Sequence, residues 1–412
     1  MKSSHVTIIT ISCIALALVS ACNNSAYSLE GQSLTSTCTS EEIRPTGTSK
    51  INWSHTFAGG IADISTNSSN LAVTVREIKA AAVTTSVSPP EISESLYVLR
   101  ASDGQLLWQY PSEINSVKPN VIRGLSVNDK YVAIFFQFPD PKVLVFSVST
   151  GKQVFEEPID AFEILLANDN LFLRDATRTL LTYDLISGKL LSKQPSNNGR
   201  GERGLFYDGI DHVYSLFDGN VYLYDAHTGS MENEFPIAFA GGTGFFFEGA
   251  ITDQHLLGSV GNELVYYDLV TGTKLWHNIL SNSNGTEVNI TRDLWPPAFS
   301  ERFVFITTDN YKLYQVSFAD GQIAPLSLPS MEDQVITSPL IIGGRLYSIF
   351  DDQTLKTLDL DSGQWSNVLG SGALRFPGNS AGLVFFYPKI KAVDSSQLFV
   401  SFGCQTLYAV AP

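Results

Sequence analysis

Residue types that could do chemistry are present in this chain, but they do not stand at chemical spacings. Five histidines follow residue 50, at His55, His212, His227, His255 and His277, and no two of them are spaced as metal ligands. Asp359-Leu360-Asp361-Ser362-Gly363 opens like a calcium loop, yet it lacks the further carboxylates and the glutamate that would close one. The same five residues suit a tight turn. There is no Gly-x-Ser-x-Gly elbow, no phosphate-binding loop and no His-Glu-x-x-His pair. The four cysteines are Cys13, Cys22, Cys38 and Cys404, none adjacent to another. Nothing here points to catalysis, a bound cofactor or a metal.

What does recur is a turn. Residues 264–276 read Leu-Val-Tyr-Tyr-Asp-Leu-Val-Thr-Gly-Thr-Lys-Leu-Trp, two apolar runs flanking a glycine, which is the pattern of a β-hairpin. Weaker copies turn at Gly104, Gly151, Gly188, Gly229, Gly321 and Gly363. With Gly272 in its place, the seven glycines are 47, 37, 41, 43, 49 and 42 residues apart. A period in the low forties built on hairpins indicates a β-propeller with one four-stranded blade per repeat. Residues 51–57 look like the end of a repeat whose beginning is missing. Residues 397–402 and 406–410 form a hairpin with no closing strand after it. Pairing the two ends completes an eighth blade and removes the open edges of an unclosed array. The expectation is an all-β, eight-bladed propeller over 51–412. Seven blades is the alternative, should the final segment be a decoration. Residues 71–76 are assigned to a strand despite the alanines that follow, because Val-Thr-Val precedes them and the repeat needs a strand there.

The 412 residues carry a formal charge of −15, which excludes a nucleic-acid partner, since phosphate binding needs a basic stripe. Lys2, a short apolar run over 6–19 and Ser20-Ala21 describe an export signal over 1–21. Val19-Ser20-Ala21-Cys22 resembles the lipobox of bacterial lipoproteins, which implies acylation of Cys22 and attachment to a membrane in the cell envelope. Residues 22–50, rich in Ser, Thr and Asn, read as a flexible tether. Export would permit a disulfide between Cys38 and Cys404. The tether would have to double back by about one strand length to form it, so bonded and free cysteines both stay open.

Asp184, Asp225, Asp268 and Asp359 each stand four residues before a turn glycine, and Trp108 and Trp276 four after one. This pattern resembles the quinoprotein-type, or PQQ-like, propeller repeat, and the resemblance implies that Trp108 and Trp276 pack between neighbouring blades. Arg100, Ser147 and Ser317 depart from it where Asp is usual, as do Phe155 and Ser192 where Trp is usual. Among such propellers the chain resembles the lipoprotein of the outer-membrane β-barrel assembly machinery, which implies a non-catalytic scaffold with a protein partner in the envelope. The alternative is a quinone-dependent or other small-molecule enzyme using the central channel. Connections within a blade alternate between the two faces of the ring. The glycine turns therefore share one face, and the variable loops over 79–94, 137–142, 194–203 and 278–293 share the other. Pro89, Pro90, Arg200 and Arg203 are the candidate partner-binding residues on those loops.

Overall fold

The computed structural model describes residues 44–45, 50–79, 91–110, 121–137, 140–195, 204–217, 220–236, 248–252, 255–260, 263–280, 297–308, 311–330, 333–370, 388–394, 396–402 and 405–411. Their strands form eight antiparallel sheets arranged as an eight-bladed propeller, which excludes the seven-bladed alternative. Seven blades are continuous in sequence. In blade 1 the order is Gly60–Thr66, Asn70–Lys79, Glu91–Arg100 and Leu106–Tyr110. The stretch assigned to a strand at 71–76 lies within Asn70–Lys79.

Blade 8 is composite. Its first three strands are Lys389–Asp394, Gln397–Ser401 and Thr406–Ala411, and its fourth is Lys50–Thr56 from the other end of the chain. The pairing runs from Lys50 opposite Ala411 to Thr56 opposite Thr406, and the Phe57 N–H extends it by donating to the Gln405 carbonyl at 2.9 Å. Each end of the chain thereby covers the edge that the other would expose.

The interior is not one core. Eight separate apolar clusters fill the eight seams between neighbouring blades. The seam that closes the ring is built like the rest: Phe399, Leu407 and Ala409 of blade 8 bury against Ile61, Ile64, Leu71 and Val73 of blade 1. This arrangement explains the strand sequences. A middle strand is covered on both faces and reads as a nearly unbroken apolar run, as in Tyr131–Phe136. An outermost strand has one face in water, as in the largely exposed Lys189–Gln194.

Candidate functional site

The recurring turn shows why its residues repeat. All seven turn glycines have φ between 66° and 71°, a region that side chains disfavour. In blade 3 the Gly188 N–H donates to the Asp184 carbonyl at 2.8 Å, closing a five-residue loop. The aspartate four before the glycine caps that loop with its carboxylate. Asp225 Oδ1 accepts the N–H groups of His227 (2.8 Å) and Thr228 (2.6 Å), and Asp268 Oδ1 those of Val270 (2.8 Å) and Thr271 (3.0 Å). Asp359 uses its Oδ1 on the Ser362 N–H and hydroxyl in the same way. These bonds hold the carboxyls below the usual aspartate range: the Thr228 N–H leads for Asp225, the Thr271 N–H for Asp268 and the Ser362 N–H for Asp359. Two of the departures from the pattern are compensated. Where Arg100 and Ser317 replace the aspartate, Asp103 and Asp320 beside the glycine accept from Gln105 N and Gln322 N instead.

The tryptophans dock one blade onto the next. Trp108 Nε1 donates to the Val148 carbonyl at 2.6 Å, and its ring fills the space over Gly151, where a Cβ would stand 2.8 Å from the indole. Trp276 repeats this with the Phe318 carbonyl at 2.9 Å and Gly321. Trp53, on the fourth strand of blade 8, docks identically, with the Ala101 carbonyl at 3.0 Å and Gly104 beneath its ring. At the seam between blades 3 and 4, Asn170 Nδ2 serves the equivalent carbonyl, Ala226, at 2.9 Å. The inner turns are also stitched. Asn67 Nδ2 donates to the Asn128 carbonyl at 2.5 Å, and Asn128 Nδ2 to the Asn168 carbonyl at 2.8 Å.

On the opposite face, the second and third strands of blade 1 run on past their neighbours. Glu77, Ile78 and Lys79 pair with Ser93, Ile92 and Glu91 after the first strand has ended its pairing at Arg76. A two-stranded arm therefore projects by about 10 Å, three residues at strand rise. Its root is held by a buried ion pair. The Glu94 carboxylate accepts from the Arg76 guanidinium and from the Ile122 N–H of blade 2. Burial pushes the Glu94 carboxyl up, against the opposing pull of Arg76. Lys356, also buried, bonds Asp333 at 2.9 Å and Asp352 at 3.3 Å at the seam of blades 6 and 7.

Pro89, Pro90, Arg200 and Arg203 lie outside the described residues, as do Cys22, Cys38 and Cys404. The arm does bracket residues 80–90. Arg44–Pro45 pairs antiparallel with the outer strand of blade 7, Arg44 opposite Gly370 and Pro45 opposite Leu369. That outer strand starts at a glycine turn and ends on the opposite face, so Arg44 stands at its opposite-face end.

Residues 218–381, less than half of the chain, match a family model described as outer membrane protein assembly factor BamB. Those residues carry a PQQ-like repeat. The crystal structure of BamB from Moraxella catarrhalis is similar, with a TM-score of 0.56 at 14% identity, covering 82% of this chain and 98% of that one. The computationally designed Ika8 protein is similar at TM-score 0.56 and 15% identity (87% and 98% covered). So is the C-terminal WD40 domain of Sif2, at 0.55 and 12% (88% and 98%). At these identities the likeness is one of fold. No curated protein matches the chain in sequence.

Sequence reasoning found Trp108 and Trp276 but passed over Trp53, because no glycine turn precedes it in the chain. Its signal was the matching half-repeat around it. The asparagine stitches carry no comparable signal, since Asn is common in any turn.

Proposed function

We propose that the chain is a non-catalytic propeller scaffold, tethered to a membrane through Cys22, that binds a protein partner in the cell envelope. The observation that carries this reading is the blade-1 arm, whose strands continue three residue pairs past the end of the first strand's pairing. A hairpin that runs on beyond the strand beside it, on a rigid scaffold, is a usual place for a partner to bind. The family match supports an envelope setting, because the matched model is described by outer membrane protein assembly. On this reading Pro89 and Pro90 stiffen the partner contact, and Arg200 and Arg203 supply docking charge to an acidic body.

The test uses the intact chain expressed in bacteria. Phase separation in detergent is expected to place the native protein with the lipid phase and a Cys22→Ser variant in the aqueous phase. Affinity capture from solubilised membranes is expected to bring down one stoichiometric envelope protein. Turnover of an alcohol or sugar on adding pyrroloquinoline quinone and Ca²⁺, with no such protein captured, would replace the scaffold reading with the enzymatic one.

A further inference from the structure

The turn face carries a feature that the fold does not require. In each glycine turn, the residue three before the glycine points inward and the residue two before it points to solvent. Leu185 and Leu269 are thus buried, while Ile186 and Val270 are 75% and 68% exposed. The solvent position repeats seven times on the same backbone: Ser102, Ser149, Ile186, His227, Val270, Ala319 and Asp361, all exposed. Large aliphatic residues occupy it only in blades 3 and 5. Between them, in blade 4, Ile210 is 68% exposed at the tip of the turn joining strands one and two. That turn lies on the same face, because the Ala226 N–H beside the glycine turn donates to its Asp211 carbonyl at 2.6 Å. These are the three most exposed large apolar side chains among the described residues.

The three tips share one local structure. Asp184 Oδ1 accepts the Ile186 N–H at 2.9 Å, Asp208 Oδ1 the Ile210 N–H at 2.8 Å, and Asp268 Oδ1 the Val270 N–H at 2.8 Å. Each apolar tip is therefore presented above a carboxylate two residues earlier. Contacts cross both seams between the blades that carry them. Tyr207 donates from its hydroxyl to Asn168 Oδ1 of blade 3 at 3.1 Å and also lies 2.9 Å from the Ile210 carbonyl. Phe235 of blade 4 lies against Gly272 of blade 5, 3.8 Å from where a Cβ would stand.

We propose that Ile186, Ile210 and Val270 form a docking surface for a cationic, amphipathic segment of a protein partner, separate from the arm on the opposite face. Apolar tips among aspartates suit a segment that presents leucine-like side chains flanked by lysine or arginine. The charge selects this occupant. A second copy of a chain carrying −15 meets like charge, and so does an anionic lipid surface. The surface makes the ring two-sided, able to hold one element on each face.

The experiment titrates the full chain into a labelled peptide with leucine and lysine at helical spacing, alongside its leucine and glutamate counterpart. The variant combines Ile186→Ser, Ile210→Ser and Val270→Ser, and serine is what blades 1 and 2 already carry at the turn position. Saturable binding of the lysine peptide, weakened about tenfold or more in the variant with an unchanged melting midpoint, is expected. The glutamate peptide is expected not to bind. A photoreactive side chain at position 270 is expected to crosslink the lysine peptide, and one at 361, the same turn position in blade 7, is not. Equal affinity of variant and native chain, or equal crosslinking from 361, would overturn the proposal. Binding of phosphatidylglycerol vesicles, or self-association, that the triple variant abolishes would overturn the choice of occupant. Loss of this surface leaves capture through the arm intact, so the two readings fail separately.

Discussion

Trp53 and Ala101 close the ring: the indole N–H of the chain's first full strand donates to the Ala101 carbonyl of blade 1 at 3.0 Å. Trp108 makes the same bond one blade further on, to Val148. The seam joining the two ends of the chain is therefore held by the same device as a seam within it. The side-chain amide of Gln397, on the second strand of blade 8, sits in this contact as well. Turned about its axis, it bridges the indole and the carbonyl at 3.1 and 3.2 Å.

Closure should make folding depend on both ends. A chain lacking 398–412 loses the strand that pairs with Lys50–Thr56 and bares an edge on each side of the seam. Its thermal unfolding is expected to lose its cooperative transition. A truncated protein with an unchanged midpoint would show that the composite blade is dispensable.

Docking by tryptophan combines packing with one hydrogen bond, and these can be separated. Trp108→Ala is expected to cost about 3–5 kcal/mol, as large-to-small core changes do. Trp108→Phe keeps much of the contact with Gly151 and Phe146 but leaves the Val148 carbonyl unserved, at about 1 kcal/mol. Denaturant unfolding of both variants measures the two parts.

The turn carboxylates give the ring an acid limit. Asp225, Asp268 and Asp359 have folded pKa values below their unfolded ones, because turn N–H groups favour the charged form. Their contribution is fully present above the unfolded aspartate value of about 3.9 and is lost as pH falls through the lower folded values. Melting midpoints are expected to drop below about pH 4. Asp268→Asn, whose amide oxygen can still accept, is expected to lower the midpoint at neutral pH and to reduce its fall in acid.

Glu94 tests the root of the arm. Its carboxylate is buried between the Arg76 guanidinium and the Ile122 N–H. Glu94→Ala leaves both donors unserved and is expected to cost about 3–5 kcal/mol. Replacing the pair together, Arg76→Met with Glu94→Leu, is expected to recover part of that loss. Equal stability of the single and double variants would show that no buried charge had been stranded.

Much of the ring was legible because its parts repeat. Positive φ restricts the turn to glycine, and the carboxylate cap favours aspartate four before it without requiring it, as Arg100, Ser147 and Ser317 show, so Gly272 and Asp268 together mark a hairpin. The copy that turns at Gly229 is found as such a hairpin, between Asn220–Asp225 and Met231–Pro236. The composite blade was legible because each half lacked what the other had. Trp53 escaped notice because no glycine turn precedes it: its strand completes blade 8 from the other end of the chain. Ile186 and Val270 were hidden by their neighbours. Next to Leu185 and Leu269 they read as one apolar run, and only the backbone shows that alternate residues turn outward. A binding residue need have no period and no backbone demand to betray it, so composition alone made Arg200 and Arg203 candidates.

On the function proposed above, the ring works by holding a protein partner on the face opposite its glycine turns. The most direct measurement is affinity capture from solubilised envelopes by three forms of the intact chain. One replaces 80–90, the segment between the strands of the arm, with a Gly-Ser linker and keeps Glu94, one carries Arg200→Glu with Arg203→Glu, and one carries Lys152→Glu, Lys189→Glu and Lys274→Glu on the turn face. The first two are expected to lose the captured protein at an unchanged melting midpoint while the third keeps it. Capture abolished by the three lysine reversals and untouched by both loop variants would contradict it.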